Sequence, residues 1–357
     1  MAHGVSTTPV VSVLMVSHDA EGSVRRAVES VQNQSLRDLE LIVVDAGSED
    51  ATVRQVEAMA ERDLRIDLVR ADRCGRQAAL DVALERARGS YVLVMDADGW
   101  LAAGALAGLV DLAETRSLEL VVGGIGLSLA SGAGRVSETE LSGDETVFLT
   151  QHDFRAAAWR LFDSGQLLPA SAKLFDRERI GRLGLAFQAG SPTDHPFVLE
   201  YLADVERVGV LEGVSYRVGR RVAERPRATS VVESYRRLES ERENLLALYR
   251  HWGLEGDAAS MEMLQSRYME RLVACIEGVC GKGSPLPAAE QRRIVSHMIG
   301  TDHAQLAASL GHPRGPAARS MTVPIRSRNT PLVCAQARLL SLFGGDHAVW
   351  VMPDAYV

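Results

Sequence analysis

The sequence predicts an α/β fold followed by a helical C-terminal part. Short β-branched runs alternate with amphipathic stretches through the first hundred residues, and this alternation is typical of βαβ units with a mostly parallel sheet. The strand-like runs are almost continuously apolar, as expected for strands that helices cover on both faces. From about residue 227 onward the sequence has helical spacing and no strand signal.

The predicted elements of the first part follow one another closely. Strands are predicted at 10–16, 39–45, 65–70, 91–96, 118–130, 207–212 and 215–219. Helices are predicted near 21–33, 50–62, 76–88, 101–116, 152–163 and 194–203. A Ser/Gly-rich stretch over 128–146 is typical of a loop between strands.

The length predicts two domains, because 357 residues exceed the usual 150 or so of one domain. Charge and Pro226 interrupt the pattern between 223 and 227. We therefore expect an α/β domain over 1–225 and a helical domain over 226–357.

Composition excludes several classes of protein. The net charge of −8 argues against a protein that coats nucleic acid, whose affinity comes from clustered basic groups. Four scattered cysteines indicate neither a zinc site nor a disulfide framework. The first nine residues lack the features of a secretory signal, and the longest apolar run is too short to span a bilayer. These observations predict a cytoplasmic protein without a nucleic-acid partner.

Carboxylates follow two of the predicted strands. Asp45 ends one strand, and Asp96 and Asp98 follow another. Ligands of parallel α/β sheets bind outside the carboxyl ends of the strands, and Mg²⁺ or Mn²⁺ takes one or two carboxylates together with phosphate oxygens. The pair could thus hold a metal against a diphosphate. The alternative is that these aspartates only cap turns or the helix predicted from Leu101.

Several blocks together resemble the family 2 glycosyltransferases of the GT-A fold. The opening stretch 11–52 is similar to the family's nucleotide-binding start, VMDADGW at 94–100 to its Asp-x-Asp-Asp motif, and 168–220 to its acceptor half. The resemblance implies a GT-A domain, Rossmann-like with a mostly parallel mixed sheet and flanking helices. Its donor half would cover about 9–130 and its acceptor half about 150–225.

The resemblance also implies roles for individual residues. Asp98 would bind the metal, Mg²⁺ or Mn²⁺, and Asp194 would be the catalytic base. Arg73 or Arg76 would replace an arginine that the family has where this chain has Leu80. Six residues are implied to bind the donor nucleotide: Ser17, Asp19, Asp45, Gly75, Arg76 and Asp96. Of these, Ser17 and Asp45 would contact the base, and Asp96 the ribose or a phosphate.

Asp194 has alternatives that the sequence leaves open. It begins a predicted helix after Ser-Pro-Thr, so it could be a capping residue whose ionised form the helix dipole stabilises. His195 could instead be the base or a third metal ligand, although a lone histidine is more often structural.

The implied activity is transfer of a sugar, with inversion, from a nucleoside-diphosphate sugar, preferably a UDP-sugar, to a glycan or lipid-linked acceptor of the cell envelope or a polysaccharide. The departures Ala46, Leu80 and Gly99 leave open a degenerate protein that binds nucleotide or partner subunits without transfer. A sugar nucleotidyltransferase is disfavoured, because SHDAEGSVRR after the first strand is not a glycine-rich triphosphate loop.

The C-terminal segment has an unusual charge. Between His303 and Gly345 there are five arginines and no acidic residue. The segment 312–343 ends in an amphipathic run, which predicts peripheral contact with anionic lipid at the inner face of the membrane. The alternative is that its four prolines make it an extended loop packed on the domain.

Overall fold

The computed structural model describes residues 8–130, 136–221, 228–281 and 284–343. The chain forms two compact units, one of Met1–Leu129 and Ser137–Arg220 and the other of Ala130–Val136 and Arg221–Val357. The domain boundary predicted at 225 lies within 222–227, outside the described residues.

Ten strands of the described chain form one mixed sheet in the order β3-β2-β1-β4-β9-β6-β10-β5, with β7 beside β6 and β8 beside β10. The strands are β1 (Val11–Ser17), β2 (Leu39–Asp45), β3 (Ile66–Arg70), β4 (Tyr91–Asp96), β5 (Gly99–Leu101), β6 (Leu120–Ala130), β7 (Val136–Leu141), β8 (Thr146–Phe148), β9 (Lys173–Asp176) and β10 (Val208–Arg221). Within the described residues, seven helices alternate with these strands. They are α1 (Val24–Gln32), α2 (Thr52–Ala60), α3 (Arg76–Arg86), α4 (Ala105–Arg116), α5 (Gln151–Asp163), α6 (Arg177–Leu183) and α7 (His195–Leu202).

The apolar patterns explain the centre of this sheet. Every residue of β1 and β2 is buried, which is the burial expected of strands covered on both faces. Strands β3, β2, β1 and β4 are parallel neighbours, and β9 joins β4 and β6 in antiparallel pairing. The mostly parallel mixed sheet with flanking helices confirms the predicted fold class.

Some short elements differ from the sequence prediction. β5, β8, β9 and α6 were not predicted, because strands of three or four residues and a helix of seven give little periodicity. β7 lies inside the stretch predicted as a loop. The two strands predicted at 207–212 and 215–219 are one strand, β10, which continues through Gly213 at φ +78°.

The helical unit confirms the predicted change of character. Its helices are α8 (Ala228–His251), α9 (Ala258–Cys280), α10 (Ala288–Gly300), α11 (Asp302–Leu310), α12 (Pro316–Arg326) and α13 (Thr330–Phe343). A common apolar core forms around α9, with Met269, Leu272 and Ile276 fully buried. Among the described residues, no helix combines the length and apolar character needed to cross a bilayer.

The arginine-bearing segment is helical, so the extended-loop alternative was wrong. Pro316 occupies the first turn of α12, where a missing N–H is harmless, and Pro324 is accommodated near its end. Met321, Ile325 and Val333 belong to the core of the unit. The prediction that the segment packs on its own domain is therefore right, although its conformation is helix.

Candidate active site

The predicted donor residues meet at the carboxyl ends of β1, β2 and β4. The strand register pairs Ser17 with Asp45 and Val16 with Asp96. Parallel strands bring their last residues to one edge of the sheet, so residues far apart in the sequence become neighbours there.

Asp45 organises the loop that follows β2. Its Oδ1 accepts hydrogen bonds from the backbone N–H of Gly47 and Ser48, at 3.2 and 2.9 Å. Its Oδ2 accepts from the Ser17 and Ser48 hydroxyls, at 3.1 and 2.5 Å. Asp45 and Ser17 are 2% and 1% exposed. These four bonds hold the loop, and a contact of either residue with a nucleoside base stays a prediction.

The turn after β1 is joined to the same loop. Asp19 has a left-handed backbone, with φ +46°. Its N–H donates to the Ser48 hydroxyl at 2.9 Å and its carboxylate accepts from the Glu49 N–H at 2.8 Å. Ala20 N–H donates to the Thr52 hydroxyl at 2.7 Å. The predicted nucleotide-binding turn and loop thus form one hydrogen-bonded wall.

A cavity of about 490 Å³ opens beside this wall and is lined by Val16, His18, Ala46, Arg73, Cys74 and Arg76. Gly47, at φ +87°, passes so close to Arg73 that a Cβ would lie 2.8 Å from its Cγ. A glycine is therefore needed where the loop meets this arginine. The volume falls within the range of small-molecule sites.

Arg76 joins two of the predicted site carboxylates. Its Nε lies 2.7 Å from Asp96 Oδ1 and its Nη2 3.3 Å from Asp96 Oδ2. Its Nη1 lies 3.0 Å from Asp194 Oδ2. The side chains of Arg76, Asp96 and Asp194 are 32%, 16% and 5% exposed. Burial opposes the charge of the guanidinium, but Asp96 and Asp194 together raise the pKa of Arg76.

Helix α3 positions this arginine. Gly75 is its N-cap, and Arg76 is its first residue. Leu80, at the position of the family's arginine, is fully buried in the core, so Arg76 supplies a guanidinium at the site that Leu80 cannot. One turn further on, Asp81 accepts a hydrogen bond from the Phe187 N–H at 2.6 Å. Helix α3 therefore contacts the chain before Asp194 as well as Asp194 itself.

Asp194 does not cap the helix that follows it. It occupies the N-cap position of α7 but makes no side-chain capping hydrogen bond, and its carboxylate accepts from Arg76 instead. Phe197 in α7 packs on Phe187 and Phe175, with ring centroids 4.1 and 5.5 Å apart. Asp194 therefore begins α7, as the alternative supposed, but without a side-chain capping hydrogen bond. The aromatic contacts explain how α7 is fixed.

Asp98 lies in a tight turn between β4 and β5. The following helix, α4, begins only at Ala105 with Gly104 as its N-cap, so Asp98 does not cap it as the alternative supposed. A Cβ on Gly99 would lie 1.9 Å from the Tyr216 hydroxyl oxygen. That hydroxyl accepts the Asp96 N–H at 3.2 Å. Tyr216 thus occupies the space that an aspartate at the fourth position of the motif would need.

The carboxylates fit a metal that is shared with a substrate. Within the described residues, no three His, Cys, Asp or Glu side chains form a group that could hold an ion by themselves. Asp96 is paired with Arg76, and Asp98 follows two residues later. Divalent cations commonly use one or two carboxylates with phosphate oxygens. His195 is 3% exposed, and its alternative roles as base or third ligand stay predictions.

Two residues near the site were not assigned a role from the sequence. The Tyr216 side chain fills the space beside the glycine that follows Asp98, and Lys173 is completely buried at the start of β9. Lys173 had a signal, since it is one of two lysines among 39 basic residues. Tyr216 had none, because its contact with Gly99 joins residues that are distant in the sequence.

Comparison with known proteins agrees with this geometry. Residues 12–157 match the model of glycosyl transferase family 2. The glycosyltransferase EpsJ of Bacillus subtilis is 26% identical over 262 residues, which cover 70% of this chain and 72% of EpsJ.

Solved structures share the fold. TarS 1–349 of S. aureus in complex with UDP-GlcNAc superposes with a TM-score of 0.59 at 16% identity, covering 92% of this chain and 90% of TarS. The mannosyltransferase PcManGT of Pyrobaculum calidifontis, in complex with GDP-Man and Mn²⁺, has a TM-score of 0.50 at 18% identity, covering 96% and 89%. The match over residues 12–157, the glycosyltransferase relatives and the shared fold support a family 2 glycosyltransferase with a GT-A-like fold.

Proposed function

We propose that this glycosyltransferase is inverting and metal-dependent, and that it moves a sugar from a nucleoside-diphosphate sugar to a glycan or lipid-linked acceptor of the cell envelope or a polysaccharide. The observation on which this proposal depends is the bridge that Arg76 makes between Asp96 and Asp194. It brings a cation, a candidate donor ligand and a candidate base to one sheet edge.

The donor would bind in the 490 Å³ cavity beside Arg76. The walls made by Ser17, Asp19 and Asp45 would receive the nucleoside, and Gly75, Arg76 and Asp96 the ribose and diphosphate. A guanidinium binds phosphate oxygens in two-pronged geometry. Relatives in the same fold bind UDP-GlcNAc and GDP-Man, and we propose a UDP-sugar as the donor here.

Asp194 would act as the general base. It is 4% exposed, and Arg76, which it shares with Asp96, holds its carboxylate beside the proposed donor site. A base must lie within about 2.6–3.2 Å of the proton that it removes. Attack by the deprotonated oxygen on the anomeric carbon forms the new glycosidic bond while the bond to the diphosphate breaks, which inverts the configuration.

Asp98 would hold Mg²⁺ or Mn²⁺ together with the donor's phosphate oxygens. A bound divalent cation supplies Lewis-acid stabilisation of the leaving diphosphate. The chain's own contribution to that stabilisation is Arg76, which is already oriented by Asp96 at 2.7 Å.

The exposed surface of α12 and α13 would bring the enzyme to its acceptor at the inner face of the membrane. We define the basic-apolar patch as Arg319, Arg326, Arg328, Leu332, Leu339 and Leu342, all of them exposed. The three leucines are 48%, 53% and 65% exposed. Basic residues beside exposed apolar ones bind anionic lipid, which supports a peripheral contact and a cytoplasmic location.

Thermal unfolding with a panel of UDP-, GDP-, CDP- and dTDP-sugars, with and without Mn²⁺, tests the donor site. A true donor should stabilise the protein by about 2.7 kcal/mol at a hundredfold excess over its dissociation constant. We expect Asp98→Ala to abolish the part of this stabilisation that depends on Mn²⁺. Asp111→Ala, which removes an exposed carboxylate on α4, is the matched control. No stabilisation by any donor would contradict the proposal.

A further inference from the structure

The segment that leads to Asp194 is attached to helix α3 at both of its ends. The Asp81 carboxylate accepts a hydrogen bond from the Phe187 N–H at 2.6 Å, and the Arg76 guanidinium donates to the Asp194 carboxylate at 3.0 Å. Asp81 and Arg76 both belong to α3. The chemistry proposed for the site uses the second attachment, at Arg76. The first attachment, at Asp81, lies further along the helix.

The middle of this segment is exposed. Residues 188–190 lie at the surface, and Gln188 has a left-handed backbone with φ +56°. The Ser191 N–H donates to the Gln188 carbonyl at 2.7 Å, which closes a turn. A Cβ on Gly75 would lie 4.0 Å from the Ala189 carbonyl oxygen, so the turn passes beside the start of α3. Because the turn buries little surface, its position depends on the attachments at its ends.

The attachment at Asp81 also affects helix α7. Phe187 is fully buried, and its ring stacks on the ring of Phe197 with the centroids 4.1 Å apart. Phe197 is the third residue of α7, the helix that Asp194 begins. The bond from the Phe187 N–H to Asp81 therefore fixes the backbone of a residue that packs on this helix.

A carboxylate is well suited to hold this N–H. A backbone N–H in buried surroundings is costly to leave without an acceptor. A hydrogen bond to an ionised carboxylate is also shorter and stronger than one between neutral groups. The loss of the Asp81 carboxylate should therefore release Phe187 from α3, and with it the chain on both sides of Asp194.

We propose that Asp81 is a positioning residue for the transfer reaction, which holds Phe187 against α3 and thereby keeps the Asp194 carboxylate at Arg76, a role that rests on the proposed function of Asp194 as base. Asp81 does not line the cavity proposed for the donor, so donor binding should not depend on it. A catalytic group misplaced by about 1 Å can cost about 10²-fold in rate. The loss of Asp81 should therefore lower turnover while donor affinity is kept.

The test compares Asp81→Ala with Asp81→Asn. Asp81→Ala removes the acceptor, whereas Asp81→Asn keeps an oxygen that can accept the Phe187 N–H. Release of nucleoside diphosphate is followed in Mn²⁺ with whichever sugar of the UDP, GDP, CDP and dTDP panel stabilises the protein most. We expect Asp81→Ala to lower kcat about tenfold or more with the donor KM within about twofold of the native value. Asp81→Asn should restore kcat to within about threefold of the native value, because it keeps the hydrogen bond.

The control is Glu85→Ala, which removes an exposed carboxylate one turn further along α3. It should resemble the native enzyme. The stoichiometry of donor binding, measured by titration calorimetry, gives the concentration of folded enzyme for each variant. Rates are divided by this concentration, so a lower yield of folded protein does not count as a loss of kcat.

Three outcomes would overturn the inference. The first is a native kcat in Asp81→Ala, and the second is a loss that lies in the donor KM alone. The third is an equal loss of kcat in Asp81→Asn and Asp81→Ala, since the acceptor oxygen would then not matter. If Asp81→Ala does not fold, Asp81→Leu, which also lacks an acceptor, is put through the same test.

Asp194→Asn separates this inference from the proposed function. If Asp194→Asn keeps native turnover, the base assignment itself fails. If Asp194→Asn is inactive and Asp81→Ala is native-like, only the role of Asp81 fails. A double variant no slower than Asp194→Asn would show that Asp81 acts through Asp194, and a further loss of about tenfold would contradict it.

Discussion

Arg76 Nη1 lies 3.0 Å from Asp194 Oδ2, across 118 residues of sequence. The same guanidinium holds Asp96 at the end of β4. One side chain therefore connects the strand that leads into the turn of Asp98 with the start of α7. Because an arginine stays protonated and forms two-pronged hydrogen bonds, it can exchange a carboxylate for a phosphate partner without losing its charge.

Removing the Arg76 guanidinium should strongly reduce turnover. We expect Arg76→Ala to lose about 10²-fold or more in kcat, since it removes a cation from the leaving group and a partner from Asp194. Donor-induced stabilisation should fall with it. The rate of nucleoside diphosphate release measures the effect. Arg86→Ala is the control, because Arg86 lies on the same helix and pairs with Asp67 at the surface. Equal activities of the two variants would contradict this role.

Gly99 and Tyr216 should depend on each other. A methyl group at Gly99 would collide with the Tyr216 ring, so Gly99→Ala should destabilise the protein by about 1–3 kcal/mol. Tyr216→Ala should cost about 3–5 kcal/mol through the cavity it leaves. In the double variant the new methyl group meets no ring, so the combined loss should be smaller than the sum. Urea unfolding measures the free energy of unfolding of all three variants. If the losses of the two single variants add exactly in the double variant, the predicted collision is contradicted.

The stability of the native protein should rise with pH relative to Lys173→Met. The folded pKa of Lys173 is about 7, whereas the unfolded value is 10.5, so the unfolded chain binds more protons between these values. The native protein should therefore gain stability from about pH 7 upward, by no more than about 1.4 kcal/mol per pH unit for one proton. Below pH 7 the difference between the two proteins should be constant. Unfolding at several pH values tests this, and a pH-independent difference would contradict the buried charge.

The basic-apolar patch should bind anionic vesicles. Each arginine near such a surface contributes about 1 kcal/mol, which salt weakens. We expect sedimentation with phosphatidylglycerol vesicles but not with phosphatidylcholine vesicles, and loss of binding in Leu339→Glu/Leu342→Glu. Leu310→Glu, which changes another exposed leucine of the helical unit, should bind normally. Equal sedimentation of native protein and double variant would exclude this surface.

The sequence predicted the parallel strands well because β1, β2 and β4 are largely buried and their apolar runs are nearly uninterrupted. It was less informative about β9, which has only four residues and is held by its neighbours on both sides. Where pairing with distant strands determines an element, a local pattern cannot reveal it.

The residues of the site were likewise predictable where they follow a strand in the sequence, and not where they depend on contacts between distant elements. The positions of Asp45, Asp96 and Asp98 follow from strand ends that a sequence displays. The pairing of Arg76 with Asp194 depends on how α3 and α7 converge, and the need for glycine at position 99 depends on Tyr216 from β10. The sequence left Arg73 and Arg76 as alternatives. In the structure Arg73 is exposed and pairs with Glu49, whereas Arg76 contacts Asp96 and Asp194.

The most direct test of the proposed mechanism is turnover of the stabilising nucleoside-diphosphate sugar in Mn²⁺ by native protein and Asp194→Asn. Asp194→Asn keeps the size of the side chain but removes the base, so we expect it to bind the donor as the native protein does and to lose about 10²–10⁴-fold in kcat. Native turnover by Asp194→Asn would show that the carboxylate bound to Arg76 is not the base and would contradict the proposed mechanism.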